Sequence, residues 1–213
     1  MLVVERMTSP IITISTDLTL PDAFKLMKKE NIRRLVVVEK GKMVGLVSKN
    51  DLENAMPSKA TSLSIWEINY LIDKITVGEV MVKNVITVSE DTPIEEAACI
   101  MADNKISTLP VMRDEEVVGI ISETDLFHIF LELFGSRENG VRVTAKIANE
   151  PGAIAKLSKA IFSVGGDIIS IGTYEGDEPH LDMVTVKVCG VEQDKLEEAI
   201  KPFVSKLTDI REV

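Results

Sequence analysis

Residues 119–125 read GIISETD, and residues 45–51 read GLVSKND. In each stretch a glycine and two aliphatic residues lead to a serine, and an aspartate follows three positions later. Such an S-x-x-[DE] pattern after a strand is a capping box. The hydroxyl satisfies a backbone N–H at the start of a helix, and the acid reaches back to the cap residue. Either stretch alone is explained as a helix start. The duplication asks for more.

The two cassettes lie 74 residues apart, and that offset holds without a gap over a long region, as in Met7/Met81, Ala23/Ala97, Met27/Met101, Leu35/Leu109, Gly45/Gly119, Ser48/Ser122 and Asp51/Asp125. From Met7–Leu52 against Met81–Leu126, about a third of the positions are identical and most of the rest exchange aliphatics. A fixed period of this kind is read before anything else. Each copy runs in the order strand (IITIS, VITVS), helix (TLPDAFKLMKKENI, TPIEEAACIMADNKI), two strands joined by a polar turn, and a second helix that starts at the serine. The unit is therefore β-α-β-β-α. Thr92-Pro93-Ile94-Glu95 reads as a capping box with proline at the first helical position. Ile94, Ala97, Ala98 and Met101 recur at helical spacing and form a buried face.

The start M-x-x-x-hydrophobic-x-T, the L-V-V or L-P-V strand and the G-h-h-S-x-x-D ending resemble CBS domains over residues 7 to about 132. Two such units in tandem form a Bateman module. The resemblance implies an adenine nucleotide or S-adenosylmethionine at the junction of the last strand and helix. It also implies that Thr13 and Thr87, with Leu35, Leu109 and Pro110, flank the adenine. Chemistry agrees with the residue types. A helix N-terminus offers backbone N–H groups to a phosphate. Ser48 and Ser122 add hydroxyls, Asp51 and Asp125 accept from ribose, and Gly45 and Gly119 leave room for backbone or ligand. The copies differ in charge: Arg33, Arg34 and Lys49 in the first stand where the second has Ser107, Thr108 and Glu123. Phosphate-rich ligands are expected beside the basic set, with Mg²⁺ as a companion of a bound nucleotide. The cap and the binding site both remain open readings here.

Between the copies, residues 57–78 are expected to form a linker helix. It carries a capping box at Ser64 and Glu67, a stripe of Ile65, Ile68 and Ile72, and a separate aromatic face of Trp66 and Tyr70. SKATSLSIWEINYLIDKITVGEVM resembles the linker of the AcuB family of acetoin-utilisation proteins. Units are thus expected at about 7–56 and 79–132, within a pair spanning 1–134.

After a short linker at 135–139, residues 140–213 change pattern. VRVTAKIA alternates strictly. A helix follows NEPG, with Ile154, Leu157, Ile161 and Phe162 as its apolar stripe. A hairpin, a helix and a last edge strand complete βαββαβ, a ferredoxin-like order. With the N-x-P-G turn and GGDIISI, this part resembles an ACT domain. The resemblance implies pairing between subunits and an amino acid near Asn149, Gly152, Ala153 and Ile154. The alternative is a dimerisation module with an ordinary turn. The whole chain is α+β.

With 213 residues and a net charge of −10, the chain does not suit broad phosphate-backbone binding. Cys99 and Cys189 read as reduced core thiols, and His128 and His180 stand alone, so no metal site is expected. No run of about eighteen apolar residues suggests a membrane span, and a cytoplasmic location is expected. No catalytic motif is found. The reading is a non-catalytic sensor, homodimeric, that acts on an unknown protein target, in acetoin or acetyl-CoA metabolism by resemblance. The alternative is an assembly protein whose clefts stay empty.

Overall fold

A computed structural model describes residues 1–56 and 70–213, and the chain divides into two compact units, Met1–Leu126 and Phe127–Val213. The first unit contains the two copies as far as Leu126, in the first turn of the helix that ends the second copy. The first copy has β1 (Thr13–Ile14), α1 (Leu20–Lys29), β2 (Arg34–Glu39), β3 (Lys42–Ser48) and α2 (Lys49–Asn54). The second opens with a one-turn helix, α3 (Val77–Val80), and continues with β4 (Val88–Ser89), α4 (Ile94–Asn104), β5 (Thr108–Arg113), β6 (Glu116–Ser122) and α5 (Glu123–Leu133). Each copy builds a three-stranded sheet whose first pair is parallel and second antiparallel. The duplication extends to irregularities. Ile14 pairs Val37 and Val88 pairs Val111, and the hairpin register shifts directly after Val37 in one copy and Val111 in the other.

The repeat reaches back beyond Met7 and Met81, to Met1 and Ile75. Val77 donates its N–H to Leu18 O (2.8 Å) and Gly78 to Thr16 O (2.9 Å), while Val3 donates to Thr92 O and Val4 to Glu90 O, both at 2.9 Å. These are the same two bonds, 74 residues apart. Each copy's entry turn therefore docks on the other copy. Val77 is wholly buried in the first copy's core with Leu20, Ala23, Met27, Leu35, Val47 and Leu52, and Val3 is wholly buried as well. A second exchange follows. Thr8 bridges Ile120 in β6, and Val82 bridges Leu46 in β3.

This exchange accounts for the repeated glycines. A Cβ on Gly45 would lie 2.6 Å from Met81 Sδ and 2.8 Å from Val82 O, and one on Gly119 would run into the Met7 side chain, with Thr8 O at 3.1 Å. The space anticipated for backbone or ligand is filled by the other copy's methionine and backbone.

Several local expectations are corrected. The N-cap of α4 is Pro93, with no side-chain cap bond, so Thr92 and Glu95 form no capping box. At the aligned position of the first copy, Thr19 does cap, accepting from the Asp22 N–H. Cys99 falls on the outer side of α4, away from Ile94, Ala97 and Met101, and is exposed; Cys189 is half-buried. The linker helix does not run to 78. Residues 70–72 are helical, a turn follows, and 75–80 belong to the second copy's entry. Ile72 is buried and Tyr70 exposed, with Lys74 Nζ over its ring at 4.2 Å. The Ser64/Glu67 box, Ile65, Ile68 and Trp66 lie outside the described residues. Among the described residues, no helix is long and apolar enough to cross a membrane.

The second unit has β7 (Val141–Ala148), α6 (Ala153–Ser163), β8 (Asp167–Glu175), β9 (Leu181–Cys189), α7 (Gln193–Ile200) and β10 (Lys206–Glu212). The antiparallel sheet has the order β10-β7-β9-β8, which gives the anticipated ferredoxin-like topology. Alternation puts Val141, Val143, Ala145 and Ile147 against Leu157, Ile161, Leu196 and Ile200. The opposite face is polar and largely buried. Thr144 and Thr185 share a 3.2 Å hydrogen bond. Ser170 Oγ donates to Phe134 O (3.2 Å) and Lys187 Nζ to Gly135 O (2.9 Å). The residues that follow α5 thus cover this face. The stripe of α6 is narrower than expected: Leu157 and Ile161 are buried, but Ile154 is 37% and Phe162 79% exposed.

Gly119→Val is expected to lower unfolding stability by about 2 kcal/mol through overpacking. Combined with Met7→Ala it should cost less than the two single changes added together. Urea unfolding of the four proteins measures this, and strict additivity would mean that the two residues do not touch.

Candidate functional site

The site begins where each hairpin runs into its second helix. Ser48 donates from both its N–H (2.7 Å) and its hydroxyl (2.6 Å) to Asp51 Oδ2, and the Asp51 N–H donates to Ser48 Oγ (3.2 Å). In the other copy Ser122 N–H and Oγ donate to Asp125 Oδ2 at 2.8 and 2.7 Å. Both cassettes tie the aspartate back to the serine at the helix start through one carboxylate oxygen, and the first adds the reciprocal N–H bond of a full capping box. The next donor is engaged too: Lys49 N–H reaches Arg33 O (2.9 Å) and Glu123 N–H reaches Ser107 O (3.1 Å). The start of α2 thus has its Ser48, Lys49 and Asp51 N–H groups engaged and does not present the rank of unpaired N–H groups anticipated for a phosphate.

Both cassettes open on a single cavity of about 740 Å³, a size suited to a small ligand. Part of its wall is apolar, from Pro10, Ile11, Ile12, Ile32, Val36 and Ile120. The polar part joins Ser48, Lys49 and Asn50 to Ser122, Glu123 and Asp125, with Arg33, Arg34, Ser107 and Thr108. The apolar wall combines both copies because the Thr8–Ile120 bridge lays the strand entering β1 along β6.

Arg34 is the half-buried cation of the cavity. Its guanidinium donates to Ser107 Oγ of the other copy. Burial pushes its pKa down; the nearby Glu123 and Asp51 carboxylates oppose that, while Arg33 adds to it. It remains a cation at any working pH. Lys49 lies at the rim, in an exposed i,i+4 pair with Glu53 at 3.4 Å, which contributes little to stability.

Of the residues anticipated from sequence, Arg34, Ser48, Lys49, Thr108, Ser122 and Asp125 line this cavity together. Thr13, Leu35, Asp51, Thr87, Leu109 and Pro110 are not part of its lining. Leu35 and Leu109 are wholly buried because strand alternation turns them to the cores. The same alternation puts Arg34 and Val36 on the opposite face, where Val36 lines the cavity although it is wholly buried, so Val36 was detectable from the pattern of β2. The contribution of Ile120 was not, since it depends on the exchange between copies. In the second unit, Gly152 takes a left-handed conformation (φ 89°) as the N-cap of α6, without a side-chain cap bond. Asn149 is exposed and its N–H is bound to His180 O (2.9 Å), whereas Ala153 packs against the core instead of facing outward. Among the described residues, no group of three or more His, Cys, Asp or Glu is placed to hold a metal ion.

The CBS-domain family model matches residues 3–58 and 77–132. Among solved structures, the CBS domain pair of protein MJ0100, in complex with 5′-methylthioadenosine and S-adenosyl-L-methionine, is 31% identical with a TM-score of 0.52, covering 65% of this chain and 98% of that one. A putative acetoin utilization protein (AcuB) from Vibrio cholerae is 30% identical with a TM-score of 0.53, covering 64% and 95%. L-aspartate semialdehyde sulfurtransferase of Methanocaldococcus jannaschii is 33% identical over 131 residues, which is 61% of this chain but only 23% of that enzyme.

Asp51→Ala and Asp125→Ala each remove a cap and should lower stability by about 1 kcal/mol. Chemical denaturation without ligand tests this. An unshifted midpoint would mean that the cap bonds carry no weight.

Proposed function

The chain belongs to the CBS-domain family, and from that membership we propose that it is a non-catalytic regulatory protein whose paired copies bind an adenosine-containing ligand: AMP, ADP, ATP or S-adenosylmethionine. The observation that carries this reading is the shared cavity. It combines an apolar wall fit for a purine, Ser48, Ser122 and Asp125 for ribose and phosphate, and one half-buried cation. The MJ0100 pair, in complex with 5′-methylthioadenosine and S-adenosyl-L-methionine, supports the ligand class. Within the cavity, phosphate goes to Arg34 with Lys49 and Arg33 at the rim, away from Glu123. Mg²⁺ enters only as the companion of a bound nucleotide. The same proposal has the protein act as a homodimer on a protein target, and likeness to the AcuB-like structure supports a target in acetoin or acetyl-CoA metabolism.

The ferredoxin-like unit is proposed as an ACT domain. Its open N-cap at Gly152 favours a carboxylate ligand at the Asn149–Ile154 turn. A second reading, a purely structural assembly protein, is favoured by the caps: their bonds satisfy Ser48, Asp51, Ser122 and Asp125 without a ligand.

Thermal melts with adenosine, AMP, ADP, ATP and S-adenosylmethionine separate the two readings. A ligand at a hundred times its Kd adds about 2.7 kcal/mol, a shift of several degrees. Asp125→Ala should reduce that shift beyond its own effect on the unliganded melt. Flat curves for every compound would leave the assembly reading. For the second unit, calorimetry with a panel of amino acids should show one binder that Gly152→Ala abolishes; no heat from any of them would reduce it to a dimerisation module.

A further inference from the structure

Among the basic residues of the cavity, Arg34 alone is half-buried; Arg33 and Lys49 are exposed. Its guanidinium donates to Ser107 Oγ, so a cation from the first copy is held by a hydroxyl from the second. The 74-residue offset aligns Ser107 with Arg33 and Thr108 with Arg34, yet the reverse contact is not made. The Thr108 hydroxyl donates to the carbonyl of Ser107 at 2.6 Å instead. The link is one-sided and breaks the symmetry of the duplication.

A guanidinium carries five N–H donors in one plane, and a single bond to Ser107 leaves an edge that suits two phosphate oxygens. The competing acceptors are close: Asp51 and Glu123 both act on Arg34 electrostatically. A guanidinium turned onto either carboxylate would be neutralised as an anion receptor. Building on the adenosine reading above, we propose that Ser107 is a positioning residue that holds Arg34 toward the phosphate of the ligand. Phosphate recognition then belongs to both copies jointly. By charge, Ser107 is only a place where the second copy lacks a cation; the structure gives its hydroxyl a use.

The test is calorimetric titration of the full chain with AMP and with adenosine, for the wild type, Ser107→Ala, Ser107→Thr and Arg34→Met. The readout is the ratio of AMP to adenosine affinity, which a general loosening of the cavity does not move. The wild type should prefer AMP. Ser107→Ala and Arg34→Met should each lower the ratio about tenfold, Ser107→Thr should retain it, and the double variant should be no worse than Arg34→Met alone. The proposal is overturned if Ser107→Ala weakens both compounds alike or leaves the ratio intact. A wild type that binds adenosine without preferring AMP keeps the adenosine reading and removes the role of Ser107. A wild type that binds neither compound removes the role of Ser107, and the adenosine reading falls with it only if ADP, ATP and S-adenosylmethionine also fail to bind.

Discussion

The first unit depends on one constraint: each copy is completed by the beginning of the other. Val77 fills the core of the copy that precedes it, while Val3 is buried where the first residues dock on the copy that follows. The strands that come next cross over as well, Thr8 onto β6 and Val82 onto β3. Gly45 and Gly119 permit that crossing, because any side chain there would occupy the space of Met81 or Met7. Burial of apolar side chains drives this association, and the backbone bonds fix its register. The cavity is a by-product of the same crossing, which lays Pro10, Ile11 and Ile12 of one copy beside Ile120 of the other.

Helix capping and ligand recognition compete for some of the same atoms, because each serine hydroxyl spends its one proton on its aspartate. The serine–aspartate bonds fall on one oxygen of each carboxylate, and both serines still line the cavity. Backbone is consumed too: the N–H groups of Ser48, Lys49 and Asp51 all have partners within the chain. Under the proposed reading, electrostatic recognition at the first cassette then falls not to the helix end but to Arg34. Its position inside the cavity, beside Glu123 and Asp51, raises the importance of whatever fixes its orientation.

Much of the fold was legible because it is periodic. The 74-residue offset, the alternation in VRVTAKIA and the βαββαβ order are local patterns, and the sheets follow them. The cassettes were legible for the same reason. Half of the anticipated binding positions stand outside the cavity lining, among them Leu35 and Leu109, whose side chains strand alternation directs inward. The expectations of burial that failed share a cause. Cys99, Ile154 and Phe162 sit on helices whose apolar residues extend past the face that is actually covered, and sequence spacing does not say how wide a neighbour is. Thr92 had the right residue type for a cap but stands one position too early, leaving Pro93 at the N-cap. The apolar wall at Ile120 and the partner of Arg34 arise between copies, where no local pattern can register them.

The exchanged entry turns also bear on what half of the chain would do by itself. A single copy folded by itself would have an open slot where Val77 sits and a detached turn with nowhere to dock. Another molecule of the same kind could fill that slot with its own turn and receive one in return. An exchange between two half-length chains would make the same contacts that this chain makes between its own halves. With both halves in one chain, the two sides of the cavity need not match, and arginine stands on one side and serine on the other.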